Sequence, residues 1–198
     1  MAKRRLDSRA ISDPNRIRVL ASPVRHELVD TLSALGGTAS VAALAEQLGR
    51  PADGLYYHLR VLCKAGLVQE IDGPEGAERL YRLAGTGRAP LRLAYRAGRG
   101  GNTSALSSYA HGLLKVAEHD FKRALEMPGV VVSGERRQLW AARNKGWVGR
   151  AELQEVNRLL EKLCDLTSRA RGPGRDSLVS LAFVFSPLAR RSKRRGQL

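Results

Sequence analysis

The stretch LYYHLRVLCKAGLV, residues 55–68, sets two adjacent tyrosines, a histidine, an arginine and a lysine among leucines that recur at helical spacing. Leu55, Leu59 and Leu62 fall at i, i+4 and i+7, so they share one face of a helix and bury together. Ala52, Asp53, Tyr56, Tyr57, Arg60 and Lys64 are then distributed over the remaining surface. Tyrosine hydrogen-bonds a phosphate or a base and packs on a thymine methyl, and it equally fills the angle between two helices. Small residues near the start of such a helix let it approach base edges, while later cations meet phosphates. This assigns Ala52, Asp53, Gly54, Tyr56 and Tyr57 to base-edge proximity, and Arg60 and Lys64 to the nucleic-acid backbone. Asp53 has two readings: an acceptor for a cytosine amino group, or a charge that favours the positive helix N-terminus. His58, next to Leu59, reads as a partly buried ring hydrogen-bonded within the domain.

Positioning that helix requires its neighbours. Ser22-Pro23 is an N-cap followed by a proline at the first helical position, and Val24, Leu28 and Leu32 continue at helical spacing until Gly36-Gly37. Ser40 caps a short helix carrying Val41, Leu44 and Leu48, Gly49 ends it, and Pro51 opens the next after a turn of a few residues. After Gly66 the period changes: LVQEI (67–71) and ERLYRL (78–83) read as strands joined by DGPEGA, an antiparallel hairpin. Helix, short helix, turn, helix and hairpin describe a winged helix-turn-helix, which presents its second turn-linked helix to a major groove with the hairpin as a wing. Arg79 and Arg82 lie on the second wing strand, where an arginine would enter a minor groove or meet a phosphate. Being on alternate faces, they cannot both point the same way.

LASPVRHELVDTL, VAALAEQLG, LYYHLRVLCKAGLV and RLYRL, in that order and spacing, resemble successive signatures of the arsenical-resistance-regulator (ArsR) type of winged helix transcription factor. The resemblance covers about residues 15–84. It implies a homodimeric DNA-binding regulator whose recognition helix runs from Pro51 to about Ala65. Metal-sensing members place a cysteine pair in the helix that here reads VAALAEQL, so metal sensing at that position is not carried over.

Net charge is +15, and a surplus of cations draws a protein to polyanions by neutralising phosphates. Residues 1–86 hold 12 Lys and Arg against 10 Asp and Glu, whereas 87–198 hold 22 against 9. The excess gathers in an N-terminal arm (Lys3, Arg4, Arg5, Arg9, Arg16, Arg18), a boundary segment (Arg88, Arg92, Arg96, Arg99) and a tail (Arg190, Arg191, Lys193, Arg194, Arg195). Arg88, Arg92 and Arg96 would stack on one face if that segment is helical. The two cysteines, Cys63 and Cys164, are too few for a disulfide framework and read as small buried hydrophobes. No apolar run approaches the roughly 20 residues of a membrane span, and the N-terminus lacks a secretion signal, so a cytoplasmic, nucleoid-associated protein is expected.

The expected fold class is α+β and helix-rich: basic arm (1–14), winged helix domain (15–84), basic linker (85–101), α+β dimerisation or effector domain (102–188), basic tail (189–198). In that C-terminal domain, Leu106, Ala110, Leu113, Leu114, Ala117, Phe121 and Leu125 give one long helix with a broad apolar stripe, and Leu153, Val156, Leu160 and Leu163 a second. VVVSGERRQLWAA (130–142) is β-prone, and DSLVSLAFVFSPL (176–188) reads as a buried strand. Trp140 and Trp147 flank Arg143 and Lys145, either as a grip for an anionic or aromatic small-molecule effector or as core-anchoring tryptophans. His111 and His119 share a helix face but lack a third ligand, so no metal site is assigned, and no cofactor. There is no Gly-rich phosphate loop and no nucleophile beside a base, so no enzyme is expected. Two readings stand: a sequence-specific homodimeric regulator acting as a repressor on double-stranded operator DNA, or a sequence-indifferent nucleoid-type binder driven by the basic arms.

Overall fold

Asp13 opens the first helix: its carboxylate accepts from the Asn15 N–H at 2.9 Å, and Pro14 stands in the first turn. The result is α1 (Pro14–Leu20), in a computed structural model that describes residues 10–74, 78–85, 92–96, 98 and 100–188. Ser22-Pro23 starts α2 (Pro23–Ala34), as its sequence signal indicates. A short strand, β1 (Thr38–Ser40), leads into α3 (Val41–Leu48), whose first turn is capped by the Ser40 hydroxyl accepting from Ala43 N–H at 3.2 Å. Pro51 proves to be the N-cap of α4 (Ala52–Lys64) rather than its first residue. The hairpin follows as β2 (Val68–Ile71) and β3 (Leu80–Leu83), then α5 (Thr103–Leu125) and α6 (Arg150–Thr167).

Among the described residues the fold is therefore α+β and helix-rich, with a three-stranded antiparallel sheet in the order β1-β3-β2. The register sets Val68 opposite Leu83 and Glu70 opposite Tyr81, with Val68, Tyr81 and Leu83 buried. One core joins Ile17 and Leu20 of α1, Leu28 and Leu32 of α2, Leu44 of α3, the three α4 leucines and the hairpin. Neither α1 nor β1 is announced by a strong period. Each is short, and its geometry comes from what it pairs with.

Helix α5 packs on α1 and α2, and its Ala105 sits in the same core. The face that does this is Ala105, Tyr109, Gly112 and Val116, with Leu106 of the expected stripe packed beside it; the rest of that stripe does not share the face. Leu114 and Leu125 of that stripe are exposed, and Leu113, Ala117 and Phe121 are half-buried. Small residues explain the choice: a Cβ on Gly112 would overlap the Ala21 carbonyl oxygen, so only glycine lets α5 come this close to the chain between α1 and α2. Buried Asn102 ties the start of α5 down, donating from Nδ2 to the carbonyls of Ser12 (3.1 Å) and Ala94 (2.7 Å) and accepting from Arg96 N–H at 2.9 Å. The Tyr109 hydroxyl lies 3.2 Å from His26 Nε2 on α2. Burial holds that imidazole below its usual value, so its 3.6 Å approach to Asp30 is not an ion pair at neutral pH. Asp30 is pushed up to about 7 by withdrawal from bulk water and by the charges of Asp120 and Glu27.

Several expectations are corrected. Arg16 and Arg18 belong to α1 rather than to an arm: Arg16 Nη2 donates to the Gly66 carbonyl at 2.9 Å, and Arg18 Nη1 to Asn15 Oδ1 at 3.1 Å. Arg92 and Arg96 are not helical; their segment pairs with the N-terminal stretch, Ile11 N–H donating to Arg92 at 2.8 Å and Ala94 N–H to Ile11 at 2.9 Å. The other arm, linker and tail cations (Lys3, Arg4, Arg5, Arg9, Arg88, Arg99, Arg190, Arg191, Lys193, Arg194, Arg195) lie outside the described residues, as does the hairpin tip 75–77. Residues 130–142 and 176–188 form no strand, and Val131, Val132, Leu178, Phe183 and Phe185 are exposed. A β-prone run needs a neighbouring strand to take its N–H and C=O groups, and among the described residues none pairs with either. Both cysteines are half-buried rather than buried.

The Gly112 contact is testable. Gly112→Ala is expected to lower unfolding free energy by about 1–3 kcal/mol through overpacking, measured by urea melts of the full chain. An unchanged midpoint would mean that α5 does not dock against Ala21.

Candidate nucleic-acid interface

The turn between α3 and α4 depends on Gly49, which adopts φ +63 at the end of α3 while the Arg50 N–H reaches back to the Ala45 carbonyl at 3.0 Å. That turn swings α4 across α3 and α2, where Leu55, Leu59 and Leu62 become fully buried. With the leucine seam inward, helical geometry sends Asp53, Tyr57, Arg60 and Lys64 outward, and all four are exposed. The two tyrosines differ. Tyr57 is 62% exposed on the outer face, its ring meeting His58 edge-on at 5.2 Å. Tyr56, at 44%, lies on the flank toward the hairpin, close enough to Tyr81 to help raise that phenol after burial, Glu70 and Cys63 have done so. Ala52 is half-buried and packs on the core rather than standing at the surface. Gly54 is exposed, and a Cβ built on it would meet nothing within 4 Å.

Both wing arginines are exposed and already engaged by β2. Arg79 Nη1 holds Glu70 Oε1 at 2.8 Å, and Arg82 Nη2 donates to Gln69 Oε1 at 3.1 Å. The register explains the pairing: Gln69 is directly across from Arg82, whereas Glu70 belongs to the opposite face. An exposed pair of this kind contributes ~0–1 kcal/mol, so either arginine would exchange its partner for a phosphate at small cost.

On the other flank of α4, Gly54 and His58 share a stripe one turn apart, facing the start of α2. The His58 ring is half-buried with Nδ1 shielded and without a hydrogen-bond partner, which corrects the expectation of a ring bonded within the domain. Burial, then the guanidiniums of Arg25 and Arg50, hold its pKa below the usual histidine value. Neither Arg25, Arg50 nor this clustering follows from the motif, since α2 and the turn meet α4 only in three dimensions.

The C-terminal candidates lie in the stretch between α5 and α6. Trp140 and Trp147 are both exposed, which removes the core-anchor reading, and Arg143 and Lys145 are exposed with them. The cation over the Trp140 ring is Arg137, its guanidinium 3.0 Å from the centroid, a residue the sequence reading did not select. Among the described residues no group of three His, Cys, Asp or Glu could hold a metal, and no helix is long and apolar enough to cross a membrane. A groove of about 360 Å³ separates Asp13, Arg16 and Val19 from Val61 and Lys64, beside the C-terminal half of α4.

Residues 20–71, from the end of α1 through β2, match the model of a family described as a helix-turn-helix domain. No curated protein matches the chain. The helix-turn-helix domain supports a DNA-binding regulator in general.

Two substitutions separate packing from contact. Gly54→Ala is expected to stabilise the fold by up to about 1 kcal/mol through helix propensity while weakening duplex binding in fluorescence anisotropy; undiminished binding would mean that nothing approaches Gly54. Tyr57→Ala is expected to shift stability by less than about 0.5 kcal/mol yet reduce preference for a selected site over random duplex. A retained preference would remove Tyr57 from base recognition.

Proposed function

We propose that the chain is a homodimeric, sequence-specific transcriptional repressor of the ArsR-like winged helix kind, released from its operator by a signal that alters the dimer. The observation that carries the reading is α4 itself: a helix locked by three buried leucines behind an outer face of Asp53, Tyr57, Arg60 and Lys64, within a helix-turn-helix domain. Asp53 and Tyr57 lead that face, and the cations come late, which suits base edges first and phosphates second.

Dimerisation is supported by the apolar surface that intrachain packing leaves over. In the α5 stripe Leu114 and Leu125 are exposed and Leu113, Ala117 and Phe121 are only half-buried, and α6 buries none of its residues although Leu153, Leu159, Leu163 and Leu166 are large and apolar. Apolar surface of this extent marks an association face. A two-fold dimer would set two α4 helices about one DNA turn, ~34 Å, apart, so a ligand that changed that spacing would release the DNA. Trp140, Arg143, Lys145 and Trp147, all exposed, are the residues offered for the signal's own site. The competing reading, a sequence-indifferent binder, is favoured by the charge distribution, since 22 of the 34 cations fall after residue 86.

Selecting bound fragments from the host genome with the full chain separates the two. A repressor should enrich one palindrome with half-sites a helical turn apart, and Phe121→Asp should make the chain monomeric in sedimentation and abolish palindrome preference. A collection of bound fragments without a shared sequence would overturn the sequence-specific reading.

A further inference from the structure

We propose that Arg25, Arg50 and His58 form a phosphate-binding cluster that clamps the DNA backbone beside the Gly54 turn of α4. The inference rests on the DNA-binding reading above and adds a second contact surface to it, on the flank of the helix away from the hairpin.

Three elements bring the cluster together: Arg25 lies in the first turn of α2, Arg50 in the α3–α4 turn, and His58 on α4. Arg25 Nε donates to the Val19 carbonyl at 2.6 Å, which fixes its guanidinium. Arg50 Nη2 holds Glu27 Oε2 at 2.8 Å, and the carboxylate side chain is 12% exposed while Arg50 keeps 37%. Glu27 therefore lies behind the cluster, while Asp53, in the first turn of α4, is exposed on the adjoining outer face. Two guanidiniums against one carboxylate leave the group positive even with His58 neutral.

The start of α4 adds donors at the same place. Pro51 supplies no side-chain cap, so the N–H groups of the first turn, Gly54 included, have neither an intrahelical carbonyl nor a capping oxygen. With open space where the Gly54 Cβ would stand, an anion could approach that backbone directly. A phosphate there would accept from the first-turn N–H groups and the guanidiniums together. It would also offset the repulsion by Arg25 and Arg50 that, after burial, lowers the His58 pKa, so that the imidazole gains affinity for a proton on binding. The groups facing His58 are Arg25 and Arg50, with the Tyr57 ring beside it. Glu27 is held by Arg50, Asp53 of α4 stands on the outer face with Tyr57, the ionisable residue of α3 is Glu46, and Glu70 of β2 lies on the opposite flank, near Cys63 and Tyr81.

The sign of the pH effect follows. His58 is depressed in the free chain and rises in the complex, so affinity is greatest at low pH and is lost as pH rises through the bound-state value. One linked proton changes affinity by at most ~tenfold per pH unit. The experiment uses the full chain and a fluorescent mixed-sequence duplex, with anisotropy read across salt concentration at pH 6 and pH 8. At pH 6, His58→Gln is expected to reduce the log–log salt slope by ~0.9, the value of one phosphate contact, and to flatten the pH dependence. An NMR titration of the His58 ring in the wild-type chain, with and without the duplex, reads the same event without a substitution; its pKa should rise on binding. An unmoved titration overturns the cluster, as does a variant that folds with the wild-type salt slope and pH dependence. A wild-type chain that binds no duplex at any salt concentration would instead bring down the DNA-binding reading itself.

Discussion

Everything on the reading head follows from one seam of leucines. Leu55, Leu59 and Leu62 are fully buried against α2 and α3, alongside Leu28, Leu32 and Leu44. Burying each is worth about 1.5–3 kcal/mol, and because the seam occupies one side of α4 it fixes the rotation of that helix about its axis. Once the rotation is set, the outer face, the hairpin flank and the α2 flank have no freedom to exchange places. Tyr57 goes to water, Tyr56 toward the wing, and His58 toward Arg25 of α2 and Arg50 of the turn. The Gly49 turn supplies the remaining constraint by setting how α4 crosses α3.

The electrostatics of the head are more restrained than a net charge of +15 suggests. Arg79, Arg82 and Arg50 each have a partner in Glu70, Gln69 and Glu27, and Asp53 sits in the first turn of α4. Such a surface is suited to selecting among sequences more than to attracting polyanions from a distance. Long-range attraction would come from the cations after residue 86. Helix α5 connects these roles, because its small-residue face joins the core while its larger apolar residues stay available.

How much of this could be read along the chain depended on whether the signals were local. The starts of α2 and α3, the ends marked by Gly36 and Gly49, the leucine period of α4 and the hairpin all rest on contacts within a few residues, and all appear within a residue or two of their expected bounds. The surface positions of Asp53, Tyr57, Arg60 and Lys64 followed from the same period. The face chosen by α5 did not. Hydrophobicity pointed to Leu113, Ala117 and Phe121, but close approach to Ala21 favoured the Ala105, Gly112 and Val116 side, a steric preference visible only when the partner backbone is in place. Likewise, 176–188 has strand composition without a strand to pair with.

The sequence by itself therefore determined that a helix-turn-helix with a hairpin exists and which side of α4 is apolar, because capping, turn formation and helical period act between near neighbours. Only the tertiary structure decided what stands beside that helix. Arg25, Arg50 and His58 are separated by 25 and 8 residues along the chain, and their repulsion arises solely from the packing of α2 and the α3–α4 turn around α4. LYYHLRVLCKAGLV specifies a helix with a polar face; the core around it supplies the charges that meet that face.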